Sequence, residues 1–256
     1  MGSPTPNHFK KMPRQQVDLV NNEIYHICYR AVGDSLIFIN QDDYYRGIFS
    51  LYEFNNTNPT EIWLRRKQRK AEKRLALGSP TPHHSEIVPI RDNMVEVLAF
   101  CFMPNHIHLL LRQIKDGGIS QFMKKVGGGY ANYFNKKYQR KGHLFNQFKA
   151  IHIRGNNQLR NVITYIHCNP ISLVQPKWKE KGISDSVKVI DFLENEYRWS
   201  SLWDYIGKPN FASVTSRNFL LESITEDGIK KEMGDWIAYK TEFKRNLEMY
   251  GPLFLE

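Results

Sequence analysis

Polar and apolar residues alternate along Glu23–Arg30 (EIYHICYR), and aromatics are interleaved among them. A period of two with aromatic side chains predicts a β-strand. Leu36–Ile39 is an apolar run that leads into Asn40-Gln41-Asp42-Asp43, residue types that open a helix. The following DYYRGIFSLYEF places its apolar positions at helical spacing. Further on, MVEVLAFCFMP reads as a strongly apolar strand that turns at Pro104-Asn105 into a second strand, HIHLLLR. The two form an expected antiparallel hairpin at the centre of a sheet. From Ile119 to about Tyr138 the pattern is amphipathic and helical, with three consecutive glycines, Gly127 to Gly129, expected to weaken or kink it. Arg140-Lys141-Gly142-His143 reads as a turn and FKAIHI as a short strand. Residues 156–169 (NNQLRNVITYIHCN) form an expected helix stopped by Pro170.

The predicted order is β, α, β, β, α, β, α. That split β-α-β arrangement predicts an α+β class with a ferredoxin-like core, a central antiparallel sheet flanked by helices. Residues 1–20 are polar and expected to be a mobile tail, and residues 21–207 make up the main domain. Residues 55–92 interrupt it as a basic insertion, with WLRRKQRKAEKRL followed by GSPTPHHS. Arg65–Arg74 is either a solvated helix or loop, or an arm that contacts phosphates. His83-His84 has no obvious partners and is discounted as a metal site. The chain beyond 171, including YRWSSLWDYIG, is expected to wrap over the core, and residues 208–256 form a C-terminal extension.

Composition changes the picture little until charge is considered. The 256 residues are 41% hydrophobic and 24% charged, as in soluble globular proteins. No apolar run is long enough to span a bilayer, and the first residues lack the apolar core of a signal peptide. The expectation is a cytoplasmic protein. Cys28, Cys101 and Cys168 are too widely spaced for a disulfide framework or zinc pattern and read as small buried side chains. The net charge is +10, and from Arg112 to Arg160 there are eleven Lys/Arg against one acid, Asp116. A polyanionic partner is implied. Lys124, Lys125, Lys136, Lys137, Arg140 and Lys141 are the candidate phosphate contacts. The alternative for each is a solvated helix face.

Two clusters can carry chemistry. His106 and His108 are one pleat apart on the second hairpin strand, so their imidazoles share a face and can ligate one ion. Ile107 faces the other way, with Leu109 and Leu111. A plain alternative is two half-exposed histidines on a sheet face, but polar residues on a central apolar strand need a reason. Tyr165 and Asn169 are four apart on the last helix, beside the apolar stripe Leu159, Val162, Ile163 and Ile166. Taken alone, Tyr165 is a half-buried aromatic with its hydroxyl in water, and Asn169 a helix end before Pro170.

Together, VLAFCFMPNHIHLLLR, YANYFNKKYQRKGHLFNQFKAIHI, YIHCNPISLV and EYRWSSLWDYIG closely resemble the REP-associated tyrosine transposases. These belong to the single-tyrosine HUH transposases, named for a His-hydrophobic-His motif. The likeness runs over roughly residues 22–207, apart from the insertion. It implies a ferredoxin-like nuclease core with His106 and His108 as ligands of a divalent ion, Asn169 as a further ligand and Tyr165 as nucleophile. The implied activity is metal-dependent endonuclease and strand-transferase chemistry on single-stranded DNA. It would run through a covalent 5′-phosphotyrosine, on hairpin-containing repeats, by a monomer or homodimer associated with the nucleoid. Mg²⁺ or Mn²⁺ suits a mixed imidazole and amide site, although imidazoles also accept zinc. Tyr130, Tyr133 and Tyr138 compete as tyrosines but lack a partner like Asn169. The rival expectations are a catalytically silent DNA-binding protein on the same fold, or an RNA-binding protein that stacks bases on its sheet.

Overall fold

The computed structural model describes residues 17–59, 91–178, 182–222 and 226–239. Arg65–Arg74, His83-His84, most of the basic insertion and most of the N-terminal tail lie outside the described residues.

The first strand, β1 (Ile24–Arg30), is followed by helix α1 (Gln41–Glu53). Asn40 caps α1 reciprocally with Asp43, each side chain accepting from the other's backbone N–H, which explains why the helix starts where the Asn-Gln-Asp-Asp run begins. Strands β2 (Val95–Met103) and β3 (His106–Gln113) form the expected hairpin. Helix α2 (Gly118–Lys137), strand β4 (Lys149–Ile153) and helix α3 (Asn156–Cys168) complete the core. The sheet order is β2-β3-β1-β4, with every neighbouring pair antiparallel. That is the ferredoxin-like topology the sequence pattern predicts.

Alternation gives the sheet two unlike faces. One carries Tyr25, Ile27, Phe100, Phe102, Ile107, Leu109 and Leu111, packed with α1 and α2 in one cluster. Its aromatics stack closely, with Phe38 4.8 Å from Phe102 and 5.3 Å from Tyr130 between ring centres. The opposite face carries Ala99, Cys101, Met103 and Leu110, covered by α3 and by chain beyond residue 171.

The covering chain comprises α4 (Ile171–Val174), α5 (Ser186–Asp191), a π-helical turn (Phe192–Glu196), α6 (Leu202–Tyr205), α7 (Asn218–Leu221) and α8 (Glu226–Ala238). It is tied to the open edge of β2. The Phe102 amide donates to the Trp199 carbonyl at 2.9 Å, and the Ser201 amide donates to the Phe100 carbonyl at 3.0 Å. Tyr197 and Tyr205 donate their hydroxyls to the Phe102 and Leu98 carbonyls. An otherwise unpaired sheet edge is thereby covered.

The three glycines do not interrupt α2, which runs unbroken across them. A Cβ at Gly127 would overlap the Tyr29 ring, and one at Gly129 would overlap the Phe54 ring. The bare backbone lets two aromatics lie flat against the helix, and that packing offsets the helix propensity given up. Gly128, between them, has open space.

Candidate active site on the histidine face

β3 pairs with β1 so that His108 faces Cys28 and His106 faces Arg30. On its other side β3 pairs with β2, placing Cys101 beside His108 and Met103 beside His106. Both histidines therefore project to the α3 side, while Ile107 enters the α1–α2 cluster as expected. Neither is half-exposed: His108 is 0% and His106 8% accessible. The two rings stand 4.8 Å apart, edge to face.

α3 delivers the other half. Tyr165 lies edge-on to His108, with 5.5 Å between ring centres. Asn169, at the C-terminal cap of α3, brings its side-chain amide nitrogen 3.1 Å from His108 Nε2. The same amide hydrogen-bonds the Tyr165 hydroxyl. Tyr165, Asn169 and the two histidines thus meet within one chain. Tyr165 is 1% accessible, so its hydroxyl is not in water. Burial pushes that hydroxyl well above the ordinary phenol range, while the hydrogen bond from Asn169 pulls it down. The nearby Cys28 and Cys101 add to the rise and the Arg30 guanidinium opposes it.

The hydrogen bonds bear on which nitrogen each histidine offers. With the Asn169 amide nitrogen facing it, as here, His108 Nε2 accepts and the ring proton belongs on Nδ1, 3.1 Å from Nε2 of His26 on β1; the turned amide would reverse these roles. His106 Nδ1 is 2.6 Å from the Asn105 side-chain oxygen, which only accepts, so His106 likewise keeps its lone pair on Nε2. Both rings are set as metal-binding imidazoles usually are, with the second nitrogen engaged by a neighbour. For ligation the amide turns over to present its oxygen. The residues fit a small hard divalent ion. Among the described residues no group of three or more His, Cys, Asp or Glu forms a metal cluster.

Sequence reasoning missed His26, which is fully buried on the same face. The signal was its place in the alternation of β1, on one side with Cys28 and Arg30. It also missed Arg30 and Lys149, cationic residues whose strand positions put them on the histidine face opposite His106 and Cys28. The predicted phosphate contacts lie elsewhere: Lys124, Lys125, Lys136 and Lys137 ride on α2, across the sheet. Lys137 is committed to the buried Asp43 at 2.7 Å. Burial alone would raise the Asp43 carboxyl, but hydrogen bonds from Lys137, Tyr138, the Ile39 amide and Tyr133 hold it below its usual range. Lys125 donates to the Asn56 and Asn58 carbonyls. Arg140 donates to the Asn135 side chain at 3.3 Å. Lys124, Lys136 and Lys141 are exposed. Tyr130, Tyr133 and Tyr138 also belong to the α1–α2 side, and Tyr130 donates its hydroxyl to the Ile37 carbonyl. All three cysteines are buried and unbridged.

Comparison with known proteins bears on the same segment. Residues 85–169, a third of the chain, match the family described as "Transposase IS200 like". That stretch contains His106, His108, Tyr165 and Asn169. A solved structure of a REP-associated tyrosine transposase bound to a REP hairpin is similar at 13% identity with a TM-score of 0.38. The match covers 63% of this chain and 74% of that one. No curated protein matches the chain. The segment bearing His106, His108, Tyr165 and Asn169 is therefore similar to IS200-like transposases, and the described residues form an α+β fold with a four-stranded antiparallel sheet. No helix among the described residues is long and apolar enough to cross a membrane.

Proposed function

We propose that this protein is a single-stranded DNA endonuclease and strand transferase of the tyrosine transposase type. Residues 21–207 supply its nuclease domain, and its targets are hairpin-bearing single strands. The observation that carries the reading is the meeting of Tyr165, Asn169 and the His106/His108 pair within one chain, inside the family-matched segment.

The Tyr165 hydroxyl attacks phosphorus. The phosphotyrosine bond forms as the bond to the departing 3′ oxygen breaks, and the phenolic proton is lost to the surroundings or to that oxygen. The strand is left with a 3′-hydroxyl and a 5′-phosphotyrosine. The bond energy is conserved, so a second 3′-hydroxyl can displace the tyrosine and rejoin the strand. His106, His108 and Asn169 would hold Mg²⁺ or Mn²⁺. When bound, the ion supplies charge neutralisation at the phosphate oxygens. Arg30 favours the ionised form of Tyr165 against the burial that opposes it, and Asn169 adds its hydrogen bond only until its amide turns to ligate. Because Tyr165 is sealed, the residues around it must part when a phosphate enters.

That seal is also the observation that favours the second reading, a binding protein on the same fold without cleavage. A labelled single-stranded hairpin oligonucleotide, incubated with protein and Mn²⁺ and resolved on a denaturing gel, separates the two. A covalent adduct that disappears in Tyr165→Phe is expected. Absence of an adduct, or its persistence in Tyr165→Phe, overturns the assignment.

A further inference from the structure

His26 stands midway along β1 with no accessible surface, in the cluster where Leu98 and Leu110 of the sheet meet Ile163 of α3. A polar ring in such a place costs free energy unless its hydrogen bonding has a use. Its Nε2 lies 3.1 Å from His108 Nδ1, and the two rings are stacked at 5.2 Å. Its other flank meets Tyr165 edge-on at 5.8 Å. It therefore touches both His108, 82 residues away in sequence, and Tyr165.

We infer that His26 is a positioning residue: its Nε2 accepts the His108 Nδ1 proton and so keeps the His108 Nε2 lone pair directed at the ion site. The inference rests on the proposed role of His108 as a ligand. The need for such an acceptor is chemical. In an isolated neutral imidazole side chain the proton prefers Nε2, the nitrogen that must be bare to bind a metal. Asn169 cannot settle the matter alone, because its amide can present either a donor or an acceptor to Nε2. His106 is served in the same way by Asn105, from a turn residue next to it in sequence. His108 sits inside the sheet, and the neighbouring strand β1 brings His26 to its Nδ1. Outer-shell partners of this kind are typically worth a 10–100-fold change in metal affinity.

The test uses the full chain with ¹⁵N-labelled histidine at one fixed pH, and three variants. His26→Gln returns an acceptor oxygen at the reach of Nε2. His26→Asn is too short to reach, and His26→Leu offers none. Long-range ¹H–¹⁵N spectra without metal read the His108 tautomer, Mn²⁺ titration followed by electron paramagnetic resonance reads affinity, and melting curves check folding. Wild type and His26→Gln are expected to show the proton on Nδ1 and to bind Mn²⁺ within about twofold of each other. His26→Asn and His26→Leu are expected to shift the proton to Nε2 and to bind about 10–100-fold more weakly. A wild-type proton on Nε2 overturns the inference, as does a folded His26→Asn or His26→Leu with unchanged tautomer and affinity. Should His26→Leu not fold, the Gln and Asn pair decides. A wild-type protein that shows the Nδ1 tautomer but binds no Mn²⁺ overturns the proposed metal site instead, and the tautomers of the variants still decide the role of His26.

Discussion

The two faces of one sheet have been put to opposite uses. The α1–α2 face is filled with stacked aromatics and branched aliphatics, and its tyrosine hydroxyls are spent on structural partners such as the Ile37 carbonyl and Asp43. The α3 face buries three histidines, an asparagine and a tyrosine, with His108 in contact with each of the others. A single strand, β3, serves both: Ile107, Leu109 and Leu111 anchor it on one side, so that His106 and His108 are held on the other. Burial is nearly complete on both faces, so accessibility does not separate packing from chemistry here. What separates them is that the α3 face gathers imidazoles, an amide and a phenol around one ring, His108.

The sharpest way to break that contrast is to remove one hydroxyl from each face. Tyr165→Phe is expected to abolish covalent adduct formation while leaving oligonucleotide binding intact. Tyr130→Phe should keep the adduct and lose about 1–2 kcal/mol of stability, because the Ile37 carbonyl then lacks its donor. Adduct gels and denaturant melts on both variants check this, and loss of the adduct in Tyr130→Phe would dissolve the distinction.

The next effect is on stability against pH. His167 is fully buried on the α3 face, 2.8 Å from the Ser201 hydroxyl, and burial pushes it down to about 3. Its folded value lies below the unfolded one, so the unfolded chain binds the extra proton. Stability is full above about pH 6.5 and falls as pH drops toward 3, by roughly 1.4 kcal/mol per pH unit at most. Urea melts from pH 7 to 4 should show the decline, flattened in a folded His167→Asn variant. A wild-type profile without that slope would mean His167 is already solvated.

A smaller test concerns the helix packed on the other face. Gly129→Ala should cost about 1–3 kcal/mol by forcing Phe54 aside. Gly128→Ala, facing open space, should stabilise by about 0.5–1 kcal/mol through helix propensity. Equal effects at both positions would show that the glycines are not there for contact. The smallest effect divides two lysines read alike from sequence. Lys141→Ala should leave the melting curve unchanged and lower the salt dependence of single-strand binding by roughly 0.7. Lys137→Met should instead cost about 1–2 kcal/mol, with its partly exposed ammonium discounted for solvent, because Asp43 loses its cation.

Local pattern carried much of the fold. The alternation in β1, β2 and β3, the Asn40–Asp43 cap and the helical stripe on α3 each depend on residues a few positions apart, and the elements form where those patterns lie. The shared face of His106 and His108 followed from the pleat alone. One signal misled: Gly127–Gly129 read as a helix defect, because its meaning lies in Tyr29 and Phe54, which are distant in sequence.

What the sequence by itself determined, then, was the order of elements, the face of each strand and the residue types available for phosphate chemistry, because all three are set by short-range periodicity and side-chain chemistry. The tertiary structure alone decided that the histidines are buried, that Tyr165 and Asn169 close over them from the same chain, and that His26 on a different strand is their neighbour. Register between β1 and β3, and the docking of α3 on that sheet, are long-range outcomes of burying two unlike faces at once. The site begun by His106 and His108 is completed only there.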